Sequence, residues 1–134
     1  MPNKTGKVLL IDDNDIDLKI NSKVIKLSNF FDEIILCQSG EEGIKYITTN
    51  LENPALWPDF ILLDIQMPEM GGIELTRTIR SDADELKANI PILGVTANVL
   101  EEDRKKYIES GINDLVLKPF SERDLINKIS AYLS

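Results

Sequence analysis

The 134-residue chain contains no histidine, which removes histidine zinc sites, Ser-His triads and imidazole proton shuttles from its chemistry. Its single cysteine, Cys37, excludes an intramolecular disulfide and suits a reducing compartment. Basic residues are scarce. Lys and Arg number 15 against 23 Asp and Glu, a formal charge of −8, so neither nucleic acid nor an anionic membrane is expected as a direct partner. An acidic cleft holding a cation stays compatible with that charge. No apolar run is long enough to span a bilayer and no charged-then-apolar leader opens the chain, so the expected location is cytoplasmic. What remains is an ordinary globular composition, 43% hydrophobic and 28% charged, at a length suited to one domain over 1–134.

The apolar residues are concentrated in short runs. Phe60-Ile61-Leu62-Leu63, between Pro58 and Pro68, lacks alternation and reads as a strand buried on both faces of a parallel sheet, ending on Asp64. Val8-Leu9-Leu10-Ile11 repeats the pattern and ends on Asp12-Asp13. Glu33 to Cys37, Ile90 to Val95 and Asp114 to Leu117 read as three further strands, the last two leaving on Thr96-Ala97 and Lys118-Pro119. Helices are expected between them. Asn14 or Asp15 caps the first, whose stripe is Ile16, Ile20, Val24 and Leu27. The second carries Gly43, Ile44 and Ile47, the third Ile73, Thr76 and Ile79, and the polar stretch from Asp82 to Asn89 has room for another turn. Leu100, Tyr107 and Ile108 offer an inner face to the helix from Glu101 to Ser110, with Gly111 as its left-handed cap. Ser121 and Asp124 form a capping pattern before Leu125, Ile129, Tyr132 and Leu133. Asn50 to Pro58 reads as a loop, with Leu56 and Trp57 tucked beneath it.

Five strands alternating with five helices predict an α/β fold, a three-layer (βα)5 doubly wound parallel sheet. With strand order 2-1-3-4-5, the first and third strands are neighbours at the switch point, so Asp12, Asp13 and Asp64 meet in one cleft. Three carboxylates so placed repel one another unless a cation joins them. Oxygen donors without His or Cys select a hard ion, and Mg²⁺ suits best. Thr96 and Lys118, at the ends of the next two strands, would hold an anion beside that ion. The set suits transfer of a phosphoryl group onto Asp64 as an acyl phosphate.

The combination Asp12-Asp13, Asp64 with Met67-Pro68-x-Met70-Gly71-Gly72, Thr96-Ala97 and Lys118-Pro119-Phe120 resembles the receiver domain of two-component response regulators, from about Lys7 to Leu133. The resemblance implies a flavodoxin-like fold and a single receiver domain, with Asp64 as phosphoacceptor. Asp13, Asp64 and the backbone carbonyl of Gln66 would ligate Mg²⁺, with Asp12 holding a metal-bound water. Lys118 would pair with a phosphoryl oxygen, and Thr96 would be the switch hydroxyl. It further implies a histidine kinase or histidine phosphotransfer domain as partner, and no enzymatic turnover beyond self-catalysed phosphotransfer and autodephosphorylation. Gln66 and Asn98 occupy variable positions that, by the same likeness, line the path of the hydrolytic water. One position departs from the pattern: Leu115 stands where the family usually carries Tyr or Phe, three residues before the lysine. The downstream target is not specified by any motif.

Three other readings compete. A phosphohydrolase acting through an aspartyl intermediate would need an acid two residues after Asp64, where Gln66 stands. A flavin or nucleotide carrier would need a Gly/Ser/Thr-rich loop after the first strand, where Asp12-Asp13-Asn14-Asp15 stands instead. A degenerate receiver serving only for docking would not need the intact Asp, Thr and Lys set. The last helix is followed by no second domain in this sequence, which suggests a stand-alone relay or a receiver cut from a hybrid kinase.

Overall fold

The computed structural model describes residues 6–49, 57–65, 72–81, 90–97, 100–118 and 120–132. The elements in chain order are β1 Lys7–Ile11, α1 Asp15–Ser28, β2 Glu33–Cys37, α2 Gly40–Thr49, β3 Phe60–Asp64, α3 Gly72–Arg80, β4 Ile92–Thr96, α4 Glu101–Glu109, β5 Asp114–Leu117 and α5 Glu122–Ala131. All four strand pairings are parallel, as the strand-helix alternation predicts, and the sheet order is β2-β1-β3-β4-β5, the order expected above. This is the flavodoxin-like doubly wound fold.

The two faces of the sheet explain why the strands read as continuous apolar runs. Alternate side chains serve opposite cores. Leu9, Ile11, Ile61, Leu63 and Ile92 pack with Ile47 of α2, Leu75 and Ile79 of α3 and Tyr107 of α4. Val8, Leu10, Phe60, Leu62, Leu93 and Val95 pack with Leu18, Val24 and Ile25 of α1 and Leu125 and Ile129 of α5. Every residue of β3 and β4 is buried, whereas β2, at the sheet edge, leaves Glu33 and Leu36 exposed. Its apolar sequence conceals that edge position.

The helix ends follow local chemistry. Asn14 caps α1, its side-chain oxygen accepting from the N–H groups of Ile16 and Asp17, and Asn29 closes the helix in the left-handed conformation at φ 61°. Ser121 and Asp124 form the reciprocal capping box expected for α5. Gly111 follows α4 with φ 114°, a conformation that disfavours any side chain, and Gly111 N–H donates to Ile108 O.

Three helix faces differ from the sequence expectation. In α1 only Val24 of the expected stripe is buried; Ile16, Ile20 and Leu27 are 68%, 54% and 72% exposed, and Leu18, Asn21, Val24 and Ile25 face the sheet. Both sets obey helical spacing, and the polar Asn21 interrupts the true one. In α4 only Tyr107 is buried, while Leu100, its N-cap residue, and Ile108 are about half exposed. Tyr132 is only partly buried, against the α1 and α5 core. Trp57 is buried as expected, while Leu56, Leu133 and the stretch 82–89 lie outside the described residues. Among the described residues no helix is long and apolar enough to cross a membrane.

Candidate functional site

The strand register brings the acidic residues together. Ile11 pairs with Leu63, so Asp12, just past β1, and Asp64, the last residue of β3, leave the sheet side by side. Asp12 N–H donates to Cys37 O at 3.1 Å, which prolongs β1 by one bond and fixes where the chain turns. Asp12 and Asp64 are buried and Asp13 is exposed, and one carboxylate oxygen from each lies within 4.8 Å of the others. Asp12 also accepts from Asn14 N–H at 2.9 Å, an Asx turn that leads directly into the α1 cap.

This proximity has an electrostatic cost. Burial raises the Asp12 carboxyl from its ordinary 3.8 to about 6, Asp64 adds to that rise, and the Asn14 N–H and Lys118 oppose it. The Lys118 ammonium lies 3.8 Å from Asp64 Oδ2 and 3.4 Å from Asp17 Oδ2. Burial works against its charge, but Asp64, Asp12 and Asp17 together outweigh burial and hold its pKa above the ordinary value. Thr96, at the end of β4 beside β3, is fully buried, and its carbonyl accepts from Lys118 N–H at 2.8 Å. That bond ties the ends of β4 and β5 into one rim.

Of the expected site residues, Asp12, Asp13, Asp64, Thr96 and Lys118 all stand at the carboxyl edge of the sheet. Gln66 lies outside the described residues, as do Met67, Pro68, Met70, Gly71, Asn98 and Pro119. The contact between Asp17 and Lys118 escaped the sequence reading, because a pairing across 101 positions leaves no local pattern. Leu115 stands where the family usually carries an aromatic ring. It is already inside, 6% exposed, and its Cδ2 stands 3.1 Å from where a Cβ on Gly94 would lie.

The donor set fits a hard divalent cation. It offers oxygen only, carries a net negative charge and is compact enough for one ion.

The chain belongs to the response regulator receiver domain family, whose model matches residues 8–130. It is 32% identical over 129 residues to the polar-differentiation response regulator DivK of Brucella abortus, covering 96% of this chain and 97% of DivK. It is equally 32% identical over 127 residues to the hybrid signal transduction histidine kinase I of Dictyostelium discoideum, but there it spans only 7% of the relative's length. Among solved structures, the receiver domain of the sensor histidine kinase PA1611 of Pseudomonas aeruginosa is 26% identical and superposes with a TM-score of 0.75. That comparison covers 95% of this chain and 96% of the other, and the PA1611 structure has a magnesium ion coordinated in its active-site cleft. The protein is thus a receiver domain of the two-component type.

Proposed function

We propose that Asp64 accepts a phosphoryl group from the phosphohistidine of a histidine kinase or histidine phosphotransfer domain, in a reaction that requires Mg²⁺. The observation that carries this reading is the convergence of three carboxylates and one ammonium at the carboxyl edge of a parallel sheet, with Lys118 3.8 Å from Asp64. In the transfer, an Asp64 carboxylate oxygen bonds to phosphorus as the donor's P–N bond breaks, and the electron pair leaves with the imidazole nitrogen. Asp12, Asp13, Asp64 and the Gln66 carbonyl would hold the ion. When bound, Mg²⁺ supplies the positive charge that lets this acidic cleft receive an anionic group. Lys118 pairs with one phosphoryl oxygen, and the Thr96 hydroxyl donates to another. The protein acts on itself and turns over no separate substrate, and it works in the cytoplasm.

The added charge at Asp64 draws Thr96 and Lys118, and through the rim they share it biases α4, β5 and the start of α5. Leu115 is already buried beside Gly94, and a leucine refills less space near Thr96 than the ring the family carries there. The response is a modest population shift.

Incubation with acetyl phosphate and Mg²⁺ should add one labile phosphoryl mass to the native chain and none to Asp64→Asn. Equal labelling of both would refute the assignment of Asp64.

A further inference from the structure

Among the described residues, Lys118 pairs with two carboxylates, and only one of them belongs to the phosphoryl-accepting edge of the sheet. Its ammonium stands 3.4 Å from Asp17 Oδ2 on α1 and 3.8 Å from Asp64 Oδ2 on β3. Asp17 lies in the first turn of α1, where it lines with Lys118 a cleft of about 460 Å³ whose walls include Ile20 and Phe120. The side chains of Asp17 and Lys118 are 39% and 31% exposed, so their pairing is partly solvated and readily broken. A single ammonium between two carboxylates is divided between them, and whichever gains negative charge takes the larger share.

We infer that Asp17 is a positioning residue for the phosphoryl-accepting reaction: at rest it draws the Lys118 ammonium toward α1, and Lys118 has to leave it to pair with a phosphoryl oxygen on Asp64. The inference rests on Asp64 being the phosphoacceptor. Asp17 touches neither the donor nor the reacting atoms and acts through Lys118 alone. Its effect is to slow uptake at Asp64 by making the ammonium less available.

The test is a double-mutant cycle on the full chain, with acetyl phosphate as donor and saturating Mg²⁺. Asp17→Asn removes the charge and keeps the shape, and should speed phosphoryl uptake roughly two- to five-fold, the scale of a partly exposed ion pair. In a Lys118→Met background the same substitution should change the rate by less than the precision of the assay. A gain that persists there would overturn the inference, because Asp17 would then be acting by direct repulsion of the anionic donor. A second cycle, on urea unfolding in EDTA, reads the pair without any reaction. Relative to its effect in Lys118→Met, Asp17→Asn should lower the unfolding midpoint, and additivity of the two substitutions would overturn the inference. This arm decides the matter should Lys118→Met take up no label. Asp64→Asn separates the two levels. If it remains labelled, the reading of the site fails. If it is silent while Asp17→Asn is no faster than the native chain, only the role of Asp17 fails.

Discussion

Replacing Asp12 by Asn should stabilise the metal-free protein, although it alters a residue of the functional cleft. The Asp12 carboxyl is raised from 3.8 to about 6, first by burial and then by Asp64. The unfolded chain therefore holds this proton less tightly than the folded one. The stability contributed by the group is fully present below pH 3.8 and is lost as the pH rises through about 6. From those two values the cost of the ionised group is on the order of 1–2 kcal/mol at pH 5 and about 3 kcal/mol at pH 8. Both are upper figures, since water and side chains relax around the charge. Asparagine removes the charge while its carbonyl still accepts from Asn14 N–H, the bond Asp12 makes at 2.9 Å. Unfolding by urea in EDTA should show Asp12→Asn more stable than the native chain at pH 8, with a rise in Tm on the order of 10 °C. The gain should fall to roughly half at pH 5. Adding Mg²⁺ at pH 8 should close much of the gap, because the native cleft gains more from the ion than the substituted one does. A variant less stable than native at pH 8, or a gain equal at the two pH values, would show that the Asp12 charge is not strained in the empty cleft.

Gly72→Ala should destabilise the fold by about 1–3 kcal/mol, because a Cβ there would lie 2.9 Å from Ile65 Cα, which is backbone and has little freedom to retreat; an unchanged urea midpoint would contradict that close approach. The Cys37 thiol, 5% exposed and pushed up to about 11 mainly by burial, should react with a disulfide reagent at pH 8 roughly a hundred-fold more slowly than a free thiol, and fast labelling would mean that β2 opens. Backbone amide spectra with and without beryllofluoride, a stand-in for the phosphoryl group, should show graded shifts over α4, β5 and the start of α5. Shifts confined to the neighbours of Asp64 would mean no switch exists, and complete conversion of that face to a second state would mean that a buried Leu115 does not limit it.

The sheet was legible because burial on both faces leaves a strand no polar positions: the runs ending at Ile11 and Leu63 could be little else, and each stops on a carboxylate where the sheet meets solvent. Topology then carried Asp12, Asp13, Asp64, Thr96 and Lys118 to one edge without any side-chain geometry being known. Helix rotation was not legible. In α1 the sequence offers two apolar stripes, and the uninterrupted one, through Ile16, Ile20 and Leu27, faces solvent. The stripe that packs includes Asn21, whose polarity disguises it, and residue spacing alone does not decide between them. The same ambiguity hid Asp17. Side chains four apart on a helix share a face, so once Asn21 is known to point inward, Asp17, one turn earlier, must stand beside the strand ends, within reach of Lys118. The electrostatics of the cleft thus depend on how α1 is rotated on the sheet, and that rotation is held by the core contacts of Leu18, Val24 and Ile25.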